Sequence, residues 1–211
     1  MLHLPRLYPI VDVDVCLRAG WAPRDLARAY LAGGARLLQL RAKSLGSGEF
    51  LDLATALVID ARHAGAALIV NDRADIAALS GAAGVHVGQD DLTPQDVRPI
   101  VGPDALVGLS THTNAQIEAA LAAPISYLAI GPVFTTETKA TGYDSVGYDA
   151  VRHAVARAAI GGMPVVAIGG ITLDTALQVI ASGAASVAVI TDLMSGDPER
   201  RVRQYLQHLS A

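Results

Sequence analysis

Short apolar runs recur along the chain at Leu7–Val11, Leu37–Leu40, Ala67–Val70, Gly84–Val87, Leu106–Leu109, Tyr127–Ile130, Pro164–Ala167 and Ser186–Val189. They are β-branched or Leu-rich and too short for helices, which predicts strands buried on both faces. Amphipathic or Ala-rich stretches separate them: Pro23–Ala32, Gly48–His63, Ala74–Leu79, Pro94–Val101, Asn114–Ala122, Asp149–Ala159, Leu173–Ser182 and Glu199–Leu209. These predict helices. Several end in Gly or Gly-Ala just before the next run, as in AGGARLLQL, HAGAALIV and ASGAASVAV, the mark of a glycine C-cap and a short turn into a strand.

Eight strand-then-helix units of roughly 25 residues predict an α/β fold whose parallel sheet closes as a (β/α)8 TIM barrel, with residues 1–211 as a single domain. An open doubly wound sheet is the runner-up. It would want a glycine fingerprint after the first strand, but Val11 is followed by Asp-Val-Asp-Val-Cys. The longest irregular stretch is Gly131–Gly147, after the sixth strand, and a loop of that length is usually functional.

Composition narrows the function. Hydrophobic residues make up 52% of the 211, with mean hydropathy +0.38, yet Gly, Pro or a charge interrupts every apolar run before membrane-spanning length. The start, MLHLPRLYPIV, lacks the features of a secretory signal, and Cys16 is the sole cysteine, so a reducing cytoplasm is expected and a disulfide framework is not. A net charge of −4 and 4% aromatic residues argue against a nucleic-acid surface. The expected partners are small-molecule substrates, with neither nucleic acid nor membrane. A homo-oligomer stays open, because the helix faces are too alanine-rich to single out an interface.

Loops that follow the strands of a barrel share one rim, and the polar residues gather there. Gln39, Arg41 and Lys43 alternate with Leu38 and Leu40, so the three should face one way and the leucines should face the helices. Of the 16 basic residues only Lys43 and Lys139 are lysine, a mobile point charge suited to phosphate. The third run ends in Asn71-Asp72-Arg73 and the fourth leads into Gln89-Asp90-Asp91. Asp72 with Asp91 suits a magnesium ion shared with a diphosphate; either could instead cap a helix. His86 could hydrogen-bond a heterocycle or be a core histidine satisfied by backbone. Ser110-Thr111-His112 and the tract GPVFTTETK, which holds Thr136, Thr138 and Lys139, offer hydroxyls and an ammonium. Gly169-Gly170 would let backbone N–H groups approach an oxyanion, at the usual place of a barrel phosphate site.

QLRAK, NDR, GVHVGQDD, GLSTH, GPVFTTETK and AIGGI, in that order and spacing, resemble the thiamine phosphate synthase family, and the match extends from LYPIVD to the last strand. The resemblance implies a TIM barrel joining 4-amino-5-hydroxymethyl-2-methylpyrimidine diphosphate to 4-methyl-5-(2-hydroxyethyl)thiazole phosphate, with magnesium assisting and pyrophosphate released. It implies that Gln39 and His86 contact the pyrimidine, and that Arg41, Lys43, Asn71, Ser110 and Lys139 hold the diphosphate. Among these, Arg41, Lys43, Ser110 and Lys139 would form the catalytic set. Asp72 and Asp91 would bind the metal. Thr136, Thr138, Gly170 and the backbone around Ile190 and Thr191 would receive the thiazole phosphate.

Two stretches depart from the family pattern. In Val189-Ile190-Thr191-Asp192 a serine followed by a small apolar residue is commoner; Asp192 brings a carboxylate to the phosphate site and should weaken binding unless it points away or caps a helix. In Ala140–Tyr148, Tyr143 and Asp144 have no assigned role. The alternatives are a thiazole tautomerase-like barrel using His112 for proton transfer, and a non-catalytic barrel that binds a phosphorylated ligand.

Overall fold

The computed structural model describes residues 2–136 and 142–210. Among these, eight parallel strands close in sequence order, β8 pairing back onto β1 through Leu7 and Val187. They are β1 (Leu7–Asp12), β2 (Leu37–Arg41), β3 (Ala67–Asn71), β4 (Gly84–Val87), β5 (Leu106–Thr111), β6 (Tyr127–Ile130), β7 (Val165–Ile168) and β8 (Ser186–Val189). The open-sheet alternative is thereby excluded.

The helices of the outer layer are α1 (Val13–Arg18), α2 (Pro23–Ala32), α3 (Ser47–His63), α4 (Ala74–Ser80), α5 (Pro94–Val101), α6 (Asn114–Leu121), α7 (Gly147–Ala159), α8 (Leu173–Ala181) and α9 (Pro198–Leu209); a single 3-10 turn, Thr191–Met194, follows β8. Local chemistry sets several starts. Thr93 caps α5 ahead of Pro94, Thr113 and Gln116 form a capping box on α6, and Asp197 caps α9 ahead of Pro198.

Cys16, expected before the first helix, lies inside one. Helix α1 escapes the sequence reading because Asp-Val-Asp-Val continues the period-two alternation of the strand before it. The Asp12 carboxylate accepts from the Val15 N–H at 3.1 Å and converts the run to a helix. Cys16 is buried there, its thiol bonded to the Asp12 carbonyl, and burial pushes its pKa up to about 11.

Strand alternation divides the core into two shells. Leu38, Leu40, Val70, Val85, Val107, Leu128 and Val187 face the helices. Tyr8, Ile10, Leu37, Ile69, Tyr127, Ala129, Val166 and Ala188 fill the barrel. Interior positions nearer the strand ends turn polar, and register places them side by side: Asp12 beside Arg41, Asn71 beside His86, Ser110 beside Ala129.

Candidate active site

The mouth of the barrel encloses a cavity of about 460 Å³. Gln39, Arg41, Asn71, His86, Ser110, Thr136, Gly170, Ile190 and Thr191 all line it, so nine of the sequence-predicted residues converge from the ends of seven strands. Lys43, Asp72 and Asp91 do not line the cavity but form a charged cluster beyond β2, β3 and β4. Thr138 and Lys139 lie outside the described residues.

A chain of side-chain hydrogen bonds crosses the interior. Gln39 Nε2 donates to the Tyr8 hydroxyl at 3.1 Å, the Tyr8 and Tyr127 hydroxyls are 3.1 Å apart, Tyr127 Oη meets His86 Nδ1 at 3.1 Å, and His86 Nε2 meets Ser110 Oγ at 2.8 Å. One sense satisfies every link. With the Gln39 amide donating, Tyr8 donates to Tyr127, Tyr127 donates to His86 Nδ1, and a neutral His86 donates through Nε2 to Ser110. Burial pushes both phenols well above their ordinary pKa, so both keep their protons. His86 is therefore satisfied by side chains rather than by backbone. Gly108 leaves the space: a Cβ there would lie 2.2 Å from Tyr127 Cζ and 2.4 Å from His86 Nδ1.

Arg41 is fixed by Asp12, whose Oδ2 accepts from Nη1 at 2.5 Å; the Asp12 side chain is 2% exposed and that of Arg41 18%. Asp12 thus serves two elements, capping α1 with one oxygen and orienting Arg41 with the other. A lone carboxylate ending the apolar run LYPIV was its signal in the sequence. Tyr8 and Tyr127 gave none, since both sit where a core aromatic is expected.

In the charged cluster the Lys43 ammonium contacts the Asp72 carboxylate and lies 4.0 Å from Asp91 Oδ1, while Asp91 Oδ2 accepts from the Gly88 N–H at 2.8 Å. Neither aspartate is a helix N-cap; Arg73 and Thr93 hold those positions. Burial, then the facing Asp91 carboxylate, raises the Asp72 pKa against the pull of Lys43. Asp72 also adopts φ 64°, the left-handed region, with its N–H donated to the His86 carbonyl at 2.7 Å. Such strain concentrates at functional sites. Two convergent carboxylates around one positive centre fit a hard divalent cation, and no group of three or more metal-ligating side chains occurs among the described residues. That donor set suits magnesium, which takes its remaining ligands from substrate phosphate and water.

Across the barrel, Gly169 (φ 105°) and Gly170 (φ 63°) follow β7. They also allow the β6 loop to pack: a Cβ on Gly169 would lie 2.5 Å from Pro132 Cα, and one on Gly170 2.7 Å from the Thr135 carbonyl oxygen. Asp192 borders the same side of the cavity but turns to Arg201, Tyr205 and the first N–H of α8. The expected weakening therefore meets a compensated carboxylate. At the rim His112 donates from Nδ1 to the Gly131 carbonyl at 2.5 Å and stacks on Tyr143, with ring centroids 4.1 Å apart, which gives Tyr143 a place in the structure.

Fold and mouth together define a (β/α)8 barrel with a polar cavity at the C-terminal ends of its strands, where enzymes of this fold place their active sites. The sequence model of the thiamine monophosphate synthase family matches residues 7–193. The chain is 45% identical over 211 residues to the thiamine-phosphate synthase of Koribacter versatilis, covering 99% of this chain and 97% of that one. It is 39% identical over 205 residues to that of Chlorobium luteolum, covering 97% and 92%. Among solved structures, thiamine phosphate pyrophosphorylase from Pyrococcus furiosus superposes with a TM-score of 0.87 at 28% identity, covering 97% of this chain and 95% of that one. The chain belongs to the thiamine monophosphate synthase family.

Proposed function

We propose that this transferase joins 4-amino-5-hydroxymethyl-2-methylpyrimidine diphosphate to 4-methyl-5-(2-hydroxyethyl)thiazole phosphate at the barrel mouth by a dissociative route. The observation that carries the reading is the layout of the barrel mouth, a cavity with a charged cluster beside it. A cationic and carboxylate cluster stands on the side of β2–β4, a glycine-lined cradle on the side of β7 and β8, and a neutral hydrogen-bonding floor between them. That suits a diphosphate, a second phosphate and an aminopyrimidine in one mouth.

The C–O bond between the pyrimidine methylene and the diphosphate breaks with its electron pair going to oxygen. The resulting cation, shared with the aminopyrimidine ring, is captured by the thiazole nitrogen lone pair. Neither change needs a protein nucleophile or a proton transfer, so the residues contribute orientation and electrostatics. Gln39 and His86 hold the pyrimidine. Arg41, locked by Asp12, together with Lys43, Asn71 and Lys139, draws charge onto the leaving group. Because His86 donates to Ser110 through Nε2, the Ser110 hydroxyl hydrogen can point onward to that anion. Magnesium held by Asp72 and Asp91 would neutralise the diphosphate as its charge grows. Thr136, Thr138, Gly170, Ile190 and Thr191 receive the thiazole phosphate. A tautomerase reading leaves the Lys43, Asp72 and Asp91 cluster without a task.

Purified protein given both substrates and magnesium should form pyrophosphate and thiamine phosphate in equal amounts. Substrates bound but unconverted would overturn the catalytic reading in favour of a ligand-binding barrel. Ser110→Ala should lower the single-turnover rate about 10²-fold, the usual effect of losing one donor to developing charge, with little change in thiazole phosphate binding.

A further inference from the structure

Asp192 poses an electrostatic problem for the phosphate cradle. It follows Thr191 in the turn after β8 and borders the cavity with Gly170 and Ile190, where an uncompensated carboxylate would repel an incoming phosphate. The side chains behind it resolve the conflict. Arg201 Nη2 lies 3.0 Å from Oδ1 and 2.9 Å from Oδ2, Arg201 Nε 3.2 Å from Oδ2, the Tyr205 hydroxyl 2.6 Å from Oδ2, and the Leu173 N–H 3.2 Å from Oδ2. Arg201 Nε also lies 3.3 Å from the Asp192 carbonyl oxygen, so the backbone of the turn is held as well. Arg201 and Tyr205 sit one helical turn apart on α9 and therefore present one face. The Asp192 and Arg201 side chains are 16% and 21% exposed, little enough for the pair to be weakly screened by solvent.

We propose that Arg201, seconded by Tyr205, is a positioning residue for the thiazole-phosphate subsite: it turns the Asp192 carboxylate away from the cavity and cancels its charge, so that the turn after β8 can receive a dianion. Neither α9 residue lines the cavity. Their effect passes through Asp192, and the proposal rests on the reading of that subsite given above. A purely architectural clamp between the turn and α9 makes a different forecast, because removing any of its members would only loosen the fold. Charge masking instead requires that damage at Arg201 be repaired by neutralising Asp192.

Calorimetric titration with thiazole phosphate separates the two. Arg201→Gln, which keeps bulk and an N–H donor but deletes the charge, should weaken thiazole phosphate binding at least tenfold, about 1.4 kcal/mol. Pyrophosphate binding with magnesium should change less than twofold, and Arg201→Gln with Asp192→Asn should recover to within threefold of the wild type. Tyr205→Phe, a milder change that keeps the ring in the core and serves if the arginine variant does not fold, should lose two- to threefold and be recovered in the same way. Equal loss for both ligands, or a double variant no better than the single, overturns the proposal alone. A wild type that takes up no thiazole phosphate overturns the subsite reading beneath it as well.

Discussion

Tyr127 shows how much can depend on one hydroxyl. It accepts from Tyr8 and donates to His86, and through them ties Gln39 to Ser110 across five strands. Tyr127→Phe keeps the ring and leaves two buried polar groups short of a partner, which should cost about 1–3 kcal/mol, read as a lower urea midpoint, with a higher KM for the pyrimidine diphosphate. Gly108→Ala attacks the same place by overpacking and should cost about 1–3 kcal/mol, with near-ultraviolet circular dichroism reporting the displaced tyrosine. Gln39 and His86 were legible as residues of the mouth because polar groups stand out in apolar strands. Tyr127 was not, since a tyrosine opening the run YLAI reads as core until its hydroxyl is seen to have partners.

Helix α2 shows elements held by two kinds of contact. Gly33 at its end meets α9 so closely that a Cβ would lie 2.7 Å from both the Glu199 carbonyl oxygen and Val202 Cβ. Gly33→Ala should therefore push α9 outward and lower the melting temperature by several degrees, about 1–3 kcal/mol of overpacking. Toward α3, Arg24 donates to Asp60 at 2.8 and 3.1 Å and Arg28 adds a second fork. The hydrogen bond from Arg24, then that from Arg28, holds the Asp60 carboxyl down to about 2, against burial that raises it. The unfolded chain, with its higher ordinary carboxylate value, takes up the proton first, so the stabilisation is present above about pH 4 and is lost as pH falls through 2. Asp60→Asn should be less stable than the wild type in urea at pH 7, and that gap should close between pH 4 and pH 2. Element order and most boundaries were readable from periodicity and glycine caps. Helix α1 was not, because its alternation mimics a strand.

Closure of the barrel brings the strand ends to one shared mouth. The charged cluster beyond β2–β4 and the glycines after β7 are distant in the chain and opposite in the ring, so a ligand that reached both would bind several strands together. Since the protein offers two carboxylates rather than a full ligand set, magnesium alone should barely move the melting temperature. Magnesium with pyrophosphate should raise it, by about 2.7 kcal/mol of stabilisation at a hundredfold excess over Kd, and chelation should reverse the gain. A thermal-shift series with each component alone and both together reads this directly. Binding of magnesium as tight without pyrophosphate as with it would count against a shared site.

Linear order carried the repeat, the parallel barrel and the identity of most polar residues of the mouth, because two-residue alternation and glycine-marked helix ends are local properties that each segment displays independently. Contacts between distant segments were not encoded in any window. The pairing of Arg41 with Asp12, the relay through two tyrosines and the masking of Asp192 by Arg201 arise only when closure brings those side chains within hydrogen-bonding distance. Periodicity assigns a face to each residue; the partner it meets there is set by register and packing.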